Sequence, residues 1–342
     1  MIPLRLDDCS PSFERLKKLH WVDYFTPNAH ERLLKSLRVR ATALKLSFPD
    51  DRIDEYKPEI PQEYYVPPNF SDIDPDLYRF VQIPQTPEVP YPFWIGKYPV
   101  TNAQYERFLN ASDYATESYW RGFLKFNEDC IQIGRWGNEG LDWLKEKMGV
   151  SKKPPLPECW YHVDLGISNS DNPVVGITWY EANAYCNWLA RHWNELAEGH
   201  VNSNLHPGLI RLPLDTEWTT AAGGETPSGR YPWDAPDKAT TGTWEIVHRA
   251  NVEESHIGHT MPVNAYLRGV SPHGVVDMAG NVWEWQANYQ VMEEGWLILC
   301  GGSWRDGEVL ARVSFRGFDL LPGDWGYDVG FRVVALPREA ST

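Results

Sequence analysis

The sequence predicts an α+β domain with sparse regular secondary structure, and three observations carry that prediction. Two segments open on reciprocal capping signals, Thr101 with Gln104 and Thr178 with Glu181, each followed by an apolar stripe of helical period. From Tyr231 onward glycine, proline and short strand-like runs alternate, with no long helical repeat. The 17 Trp, 17 Tyr and 12 Phe supply the packing area that a fold poor in regular backbone requires.

The chain's 342 residues can bury a sizeable core, and its 42% hydrophobic and 23% charged residues are ordinary globular values. No apolar run is long enough to span a bilayer, and MIPLRLDD lacks the apolar core of a signal peptide, so a cytoplasmic location is expected. A net charge of -15 disfavours nucleic acid and anionic membrane as partners. Five widely spaced cysteines, an odd number, argue for reduced thiols rather than a disulfide framework. A monomer is expected.

Taken in order, residues 1–47 read as an N-terminal helical segment: Phe13, Leu16, Leu19 and then Leu33, Leu34, Leu37 recur at helical steps, split by Pro27 and Asn28. Residues 48–79 form a proline-rich, acidic, extended connection that cannot be regular helix, with a short strand at 78–83 at its end. The main domain is 80–342. Its first strand is 93–98, and Tyr105, Phe108 and Leu109 share the buried face of the first capped helix. An insertion at 112–172 reads as mostly loop with a short helix at 141–148. In the second capped helix Ala182, Tyr185, Cys186, Leu189 and Trp193 make the buried stripe. RLPLDTEWTTAAGG gives a short strand, a cap at Asp215 or Thr216, a brief helix and a stop at Gly223. In GNVWEW, Trp283 and Trp285 alternate with Val282 and Glu284, as in a strand whose two faces differ.

Seven phrases now stand in order: YPVTNAQYERFL, NPVVGITWYEANAYCNWLA, RLPLDTEW, YPWD, GVVDMAGNVWEW, CGGSW and VGFRVV. Over residues 80–335 they resemble the sulfatase-modifying-factor, or formylglycine-generating-enzyme-like, family. The resemblance implies a C-type-lectin-like fold. It also implies structural calcium at Asp277, Gly280, Val282 and Glu284, with Asn251 matching the start of a second calcium site. Carboxylates and turn carbonyls suit that hard cation. The alternative is that Asp277 and Glu284 cap turns or pair with a nearby arginine. No zinc motif is present, Cys159 with His162 being only half a site. Relatives that oxidise sulfur compounds hold non-haem iron with three ligands from an added helical bundle, a pattern that His20 and His30 do not reproduce.

Catalytic members of the family bind copper through two cysteines that follow the Gly-Gly-Ser phrase. Here WRDGEVLARVSFR contains none, so neither copper nor iron is expected. Cys300 is single and follows Leu297, Ile298 and Leu299, as a strand residue would. The segment 301–332 also resembles the variable region of target proteins of diversity-generating retroelements. That likeness makes Trp304, Asp306, Glu308, Phe315, Gly317, Phe318, Leu320, Asp324, Trp325 and Tyr327 candidate recognition positions. Their aromatic character, with Arg305 beside them, suits contact with a protein or other macromolecule. The reading is a noncatalytic ligand-binding protein of this fold. Its alternatives are an oxidase of the same family, an adaptor in a bacterial multiprotein system and a structural scaffold. Against a binding face stands the alternative that half of these aromatics are buried, with Arg312 and Arg316 pairing with nearby aspartates.

Overall fold

A computed structural model describes residues 78–337, apart from 151, 197, 199–201, 203–204, 225–230, 236–238, 241 and 293–294, together with an isolated parallel pairing of Leu4–Arg5 with Val22–Asp23. Apart from that pairing, the predicted helices within 1–47 and the proline-rich connection up to residue 77 lie outside the described residues.

The domain is built on two sheets. One has the strand order β1 (Phe80–Ile83), β2 (Phe93–Gly96), β10 (Val334–Pro337) and β5 (Pro207–Arg211). One of its two inner strands is the last among the described residues: Val334 stands opposite Ile95 on one side and Arg211 on the other. The second sheet runs β8 (Arg316–Leu320), β7 (Trp296–Cys300), β6 (Trp283–Val291), β3 (Leu124–Phe126) and β4 (Gln132–Arg135), and β9 (Val329–Gly330) pairs parallel with β6. Register sets Glu284, Cys300 and Arg316 side by side across β6, β7 and β8.

Both capping boxes form as expected. Thr101 N–H donates to the Gln104 side chain at 2.8 Å while Gln104 N–H donates back to the Thr101 hydroxyl at 3.3 Å, starting α1 (Asn102–Leu109). The Thr178 and Glu181 pair does the same for α3 (Trp179–Leu196), at 2.8 and 3.2 Å. The five stripe residues of α3 are all buried. Tyr105 of α1 stacks on Tyr185 of α3 at 5.8 Å, and Phe331 of the VGFR phrase meets both rings edge-on, at 6.4 and 5.4 Å. The C-terminal phrase thus holds the two helices against the sheet.

Elsewhere the structure departs from the expectation in detail. The insertion carries its helix, α2 (Glu139–Met148), but also the β3–β4 hairpin. β4 is exposed along its whole length, so no alternation of apolar residues marks it in the sequence. The helix α4 (Asp215–Ala222) begins one residue before its expected cap could act: Leu214 is the N-cap, and Glu217 accepts its N–H at 2.8 Å. Gly223 ends it in the left-handed region, as expected. A further short helix, α5, spans Thr243–Val247. Finally, β6 is buried on both faces over 283–289 rather than on one. Glu284 can lie there because Arg332, also fully buried, closes on it.

Candidate functional site

The segment between the CGGSW and VGFR phrases is a chain of turns ending in β8 and a loop. Its first part is fastened from beneath. The Ser303 hydroxyl lies within hydrogen-bonding distance of both Asp306 and Asp328, the latter at 2.8 Å. Asp306 also accepts the indole N–H of Trp283 at 2.7 Å, and its carbonyl accepts Glu253 N–H at 2.9 Å. One hydroxyl proton cannot serve two carboxylates. Burial raises the pKa of Asp328, with the nearby Asp306 charge adding to it.

The ten candidate positions therefore divide. Asp306 is a structural acceptor. Glu308 is anchored as well, its N–H held by the Glu254 carboxylate at 2.9 Å and its carbonyl accepting the Tyr231 hydroxyl at 3.0 Å. Gly317 stands opposite Leu299, and a Cβ there would come within 3.2 Å of both Leu299 and the Trp283 ring. Phe315 and Leu320 are half-buried and pack against the main core, Phe315 at 6.1 Å from the Trp283 ring. The Phe318 side chain lies outside the described residues. Asp324 caps its own turn by accepting Leu321 N–H at 2.9 Å.

What remains outward is smaller than the sequence suggests. Trp304 is half-buried against Cys159, Leu165, Val175 and Val282, with the Arg305 guanidinium 5.6 Å from its ring. Its indole N–H is buried without a hydrogen-bond partner among the described residues. Trp325 is half-buried and meets Tyr327 edge-to-face at 5.2 Å; Tyr327 is 49% exposed and Leu321 44%. Sequence reasoning missed Ser303, Asp328, Trp283 and Glu254 as the fasteners. Ser303 and Asp328, each next to a framing phrase, were the ones within reach.

Thiol chemistry finds no support in the surroundings of the described cysteines. Cys130, Cys159, Cys186 and Cys300 are free. Burial pushes the thiol of Cys130 up to about 12 and that of Cys159 up to about 11, and raises Cys186 and Cys300 as well. Cys300 ends β7 with no exposure, the packing role expected of it. Among the described residues no group of three or more His, Cys, Asp and Glu could hold a metal ion.

The residues implied for calcium do converge, but the carboxylates of Glu284 and Asp277 and the side chain of Asn251 already have partners within the protein. Arg332 donates to Glu284 through Nε and Nη2, each at 2.6 Å, and Trp218 donates to the same carboxylate at 2.7 Å. Arg332 also reaches the carbonyls of Gly96 and Val276. Asp277, buried and raised to about 7 by that burial, accepts from Asn281 at 2.9 Å. Gly280 (φ 73) leaves room for the Asn251 carbonyl, and Val282 N–H donates to the Gly280 carbonyl at 2.9 Å. The Asn251 amide donates to the His259 carbonyl at 2.9 Å, and its oxygen accepts from Ser255 at 3.1 Å. With a guanidinium seated on Glu284, this arrangement does not fit calcium; it is an arginine-centred clasp.

A cleft of about 610 Å³ opens on the other side of β8, lined by Asp215, Thr216, Thr219, His273 and Arg316 among others. Within it Arg316 donates to Asp215 at 3.1 Å and to Thr219 at 2.7 Å.

Fold and site together define an α+β domain of the sulfatase-modifying-factor type in which carboxylates and aromatics fill the segment after Gly-Gly-Ser. The family model of the sulfatase-modifying factor enzyme 1-like domain matches residues 58–336, and the chain belongs to that family. It is 28% identical over 259 residues to the inactive C-alpha-formylglycine-generating enzyme 2 of Bos taurus, covering 71% of this chain and 77% of that one. It is 25% identical over 255 residues to the hercynine oxygenase of Mycolicibacterium smegmatis, covering 66% of this chain but 49% of the oxygenase. Among solved structures, Treponema denticola variable protein 1 is similar at a TM-score of 0.44 and 16% identity, over 76% of this chain and 92% of that one.

Proposed function

We propose that the protein is a noncatalytic ligand-binding member of its family whose recognition surface is formed by residues 301–332. The observation that carries this reading is the chemistry of the segment itself. Where catalysis by paired thiolates would need two cysteines, the chain places Asp306 locked to Ser303 and Trp283, with an aromatic pair at Trp325 and Tyr327 facing outward. The relationship to a protein named as inactive supports the noncatalytic half. The recognition loops stand on strands and hydrogen-bonded turns, so their outward side chains can change without loss of the core. That arrangement suits diversification of the segment by a retroelement.

The same reading keeps a cytoplasmic monomer that binds neither nucleic acid nor membrane. The net charge of -15 supports the exclusion of polyanions. Among the described residues no helix is long and apolar enough to cross a membrane.

A second reading, an oxygen-using enzyme, is favoured by the hercynine oxygenase relatives. The two separate in one experiment. The full chain is incubated aerobically with Cu(I) or Fe(II) and a cysteine-bearing peptide, and the peptide is followed by mass spectrometry. The binding reading expects the peptide unchanged beyond the protein-free control; a metal-dependent aldehyde or sulfoxide product, formed over many turnovers, overturns it.

A further inference from the structure

We propose that the recognition surface continues from the 321–328 loop onto the 157–167 turn of the insertion, and that the two together bind a basic protein segment. The proposal rests on the reading of residues 301–332 as a binding face. Gly176 joins the two pieces: its N–H donates to the Gly326 carbonyl at 3.0 Å, and its carbonyl accepts Glu158 N–H at 2.9 Å. Trp304, half-buried, packs against Cys159 and Leu165 and so braces the turn from the recognition segment.

The turn is stiff. Gly166 N–H donates to the His162 carbonyl at 2.8 Å and Ile167 N–H to the Trp160 carbonyl at 2.9 Å. The buried Asn102 amide, at the start of α1, reaches the carbonyls of Leu165 and Gly166 at 3.1 Å each. At its tip Tyr161 is 80% exposed and Val163 72%. Large apolar side chains held outward on a rigid turn gain nothing for folding there, but they give contact area at small entropic cost on binding. Tyr327 and Leu321 present the same combination on the neighbouring loop.

Charge selects the partner. Neither 157–167 nor 321–328 contains Lys or Arg, whereas they carry Glu158, Asp164, Asp324 and Asp328, the first three exposed. Asp306 lies beside Asp328 through Ser303. The one cation of the adjoining turn, Arg305, stands over Trp304. An aromatic surface rimmed by carboxylates on a chain of charge -15 complements a segment that alternates Lys or Arg with apolar side chains.

The test is selection of a phage-displayed random peptide library on the immobilised full chain. Recovered peptides are then measured against Tyr161→Ser/Val163→Ser and Leu321→Ser/Tyr327→Ser variants whose thermal melting matches the parent. The proposal expects cationic, apolar-rich peptides whose binding weakens about tenfold in each variant and falls with salt. Peptides weakened only by the Leu321/Tyr327 change overturn the extension and leave the reading of 301–332 standing. Peptides insensitive to both variants overturn the extension and that reading together. Acidic peptides, or failure to enrich any, overturn the assignment of a basic partner.

Discussion

Arg332 and Glu284 are joined by two charge-assisted hydrogen bonds of 2.6 Å, and neither side chain has any exposure. They lie 48 residues apart in the chain, on the VGFR phrase and on β6. The pair fastens the strand that frames the recognition segment to the centre of the larger sheet.

Breaking that clasp leaves an uncompensated buried charge. Arg332→Met is expected to lower stability by about 3–5 kcal/mol, and Arg332→Met with Glu284→Met to recover part of the loss, as read by urea unfolding. Because the guanidinium already occupies the carboxylate, added calcium and added chelator are expected to leave the thermal midpoint of the parent unchanged. A calcium-induced rise beyond about 2 °C contradicts this assignment.

Glu181 is fully buried, and burial raises its carboxyl to about 7 despite the hydrogen bonds from Thr178 that favour the charged form. Its folded value lies above the unfolded one, so the folded state holds the extra proton between about pH 4.3 and 7. Stability is then full below the unfolded value and falls as pH rises toward 7, by at most about 1.4 kcal/mol per pH unit from this group. Glu181→Gln can still accept the Thr178 N–H but cannot titrate. Its stability relative to the parent is expected to improve steadily from pH 5 to 7 in chemical denaturation, and a constant difference contradicts the assignment.

The four described cysteines are expected to react slowly with a disulfide reagent. Three are buried, and all four hold their protons well above neutral pH. In a Cys9→Ser chain no thiol is expected to label quickly at pH 8 before unfolding. Rapid labelling of Cys300 or Cys159 contradicts the burial described.

Within the recognition segment, tolerance is expected to follow anchoring. Gly317→Val drives a side chain against Leu299 and Trp283 and is expected to cost about 1–3 kcal/mol. Tyr327→Ala, at an exposed position, is expected to change stability by about 0.5 kcal/mol or less. Thermal or urea melts of the two variants check the contrast; equal losses refute it.

These contrasts mark what the sequence could and could not convey. The capping boxes were legible because Thr101 with Gln104, and Thr178 with Glu181, act within three residues. The helix stop at Gly223 was legible for the same reason. The partners of Asp306 and Glu308 were not, since Trp283 and Glu254 lie 23 and 54 residues away and only the folded register brings them close. The likeness to variable regions marked ten positions as a recognition face, and folding spends several of them on the frame. β4 escaped notice because an exposed edge strand has no buried face to impose alternation.

The central claim is that residues 301–332 form a rigid frame carrying a changeable surface. Sequencing the coding segment and its flanking DNA across many isolates of one lineage tests it most directly. The account predicts substitutions concentrated at Trp325 and Tyr327, with Ser303, Asp306, Gly317 and Arg332 unchanged, beside a near-copy of the segment and a reverse-transcriptase gene. Substitutions spread evenly over frame and surface, or a segment held constant throughout, would contradict it.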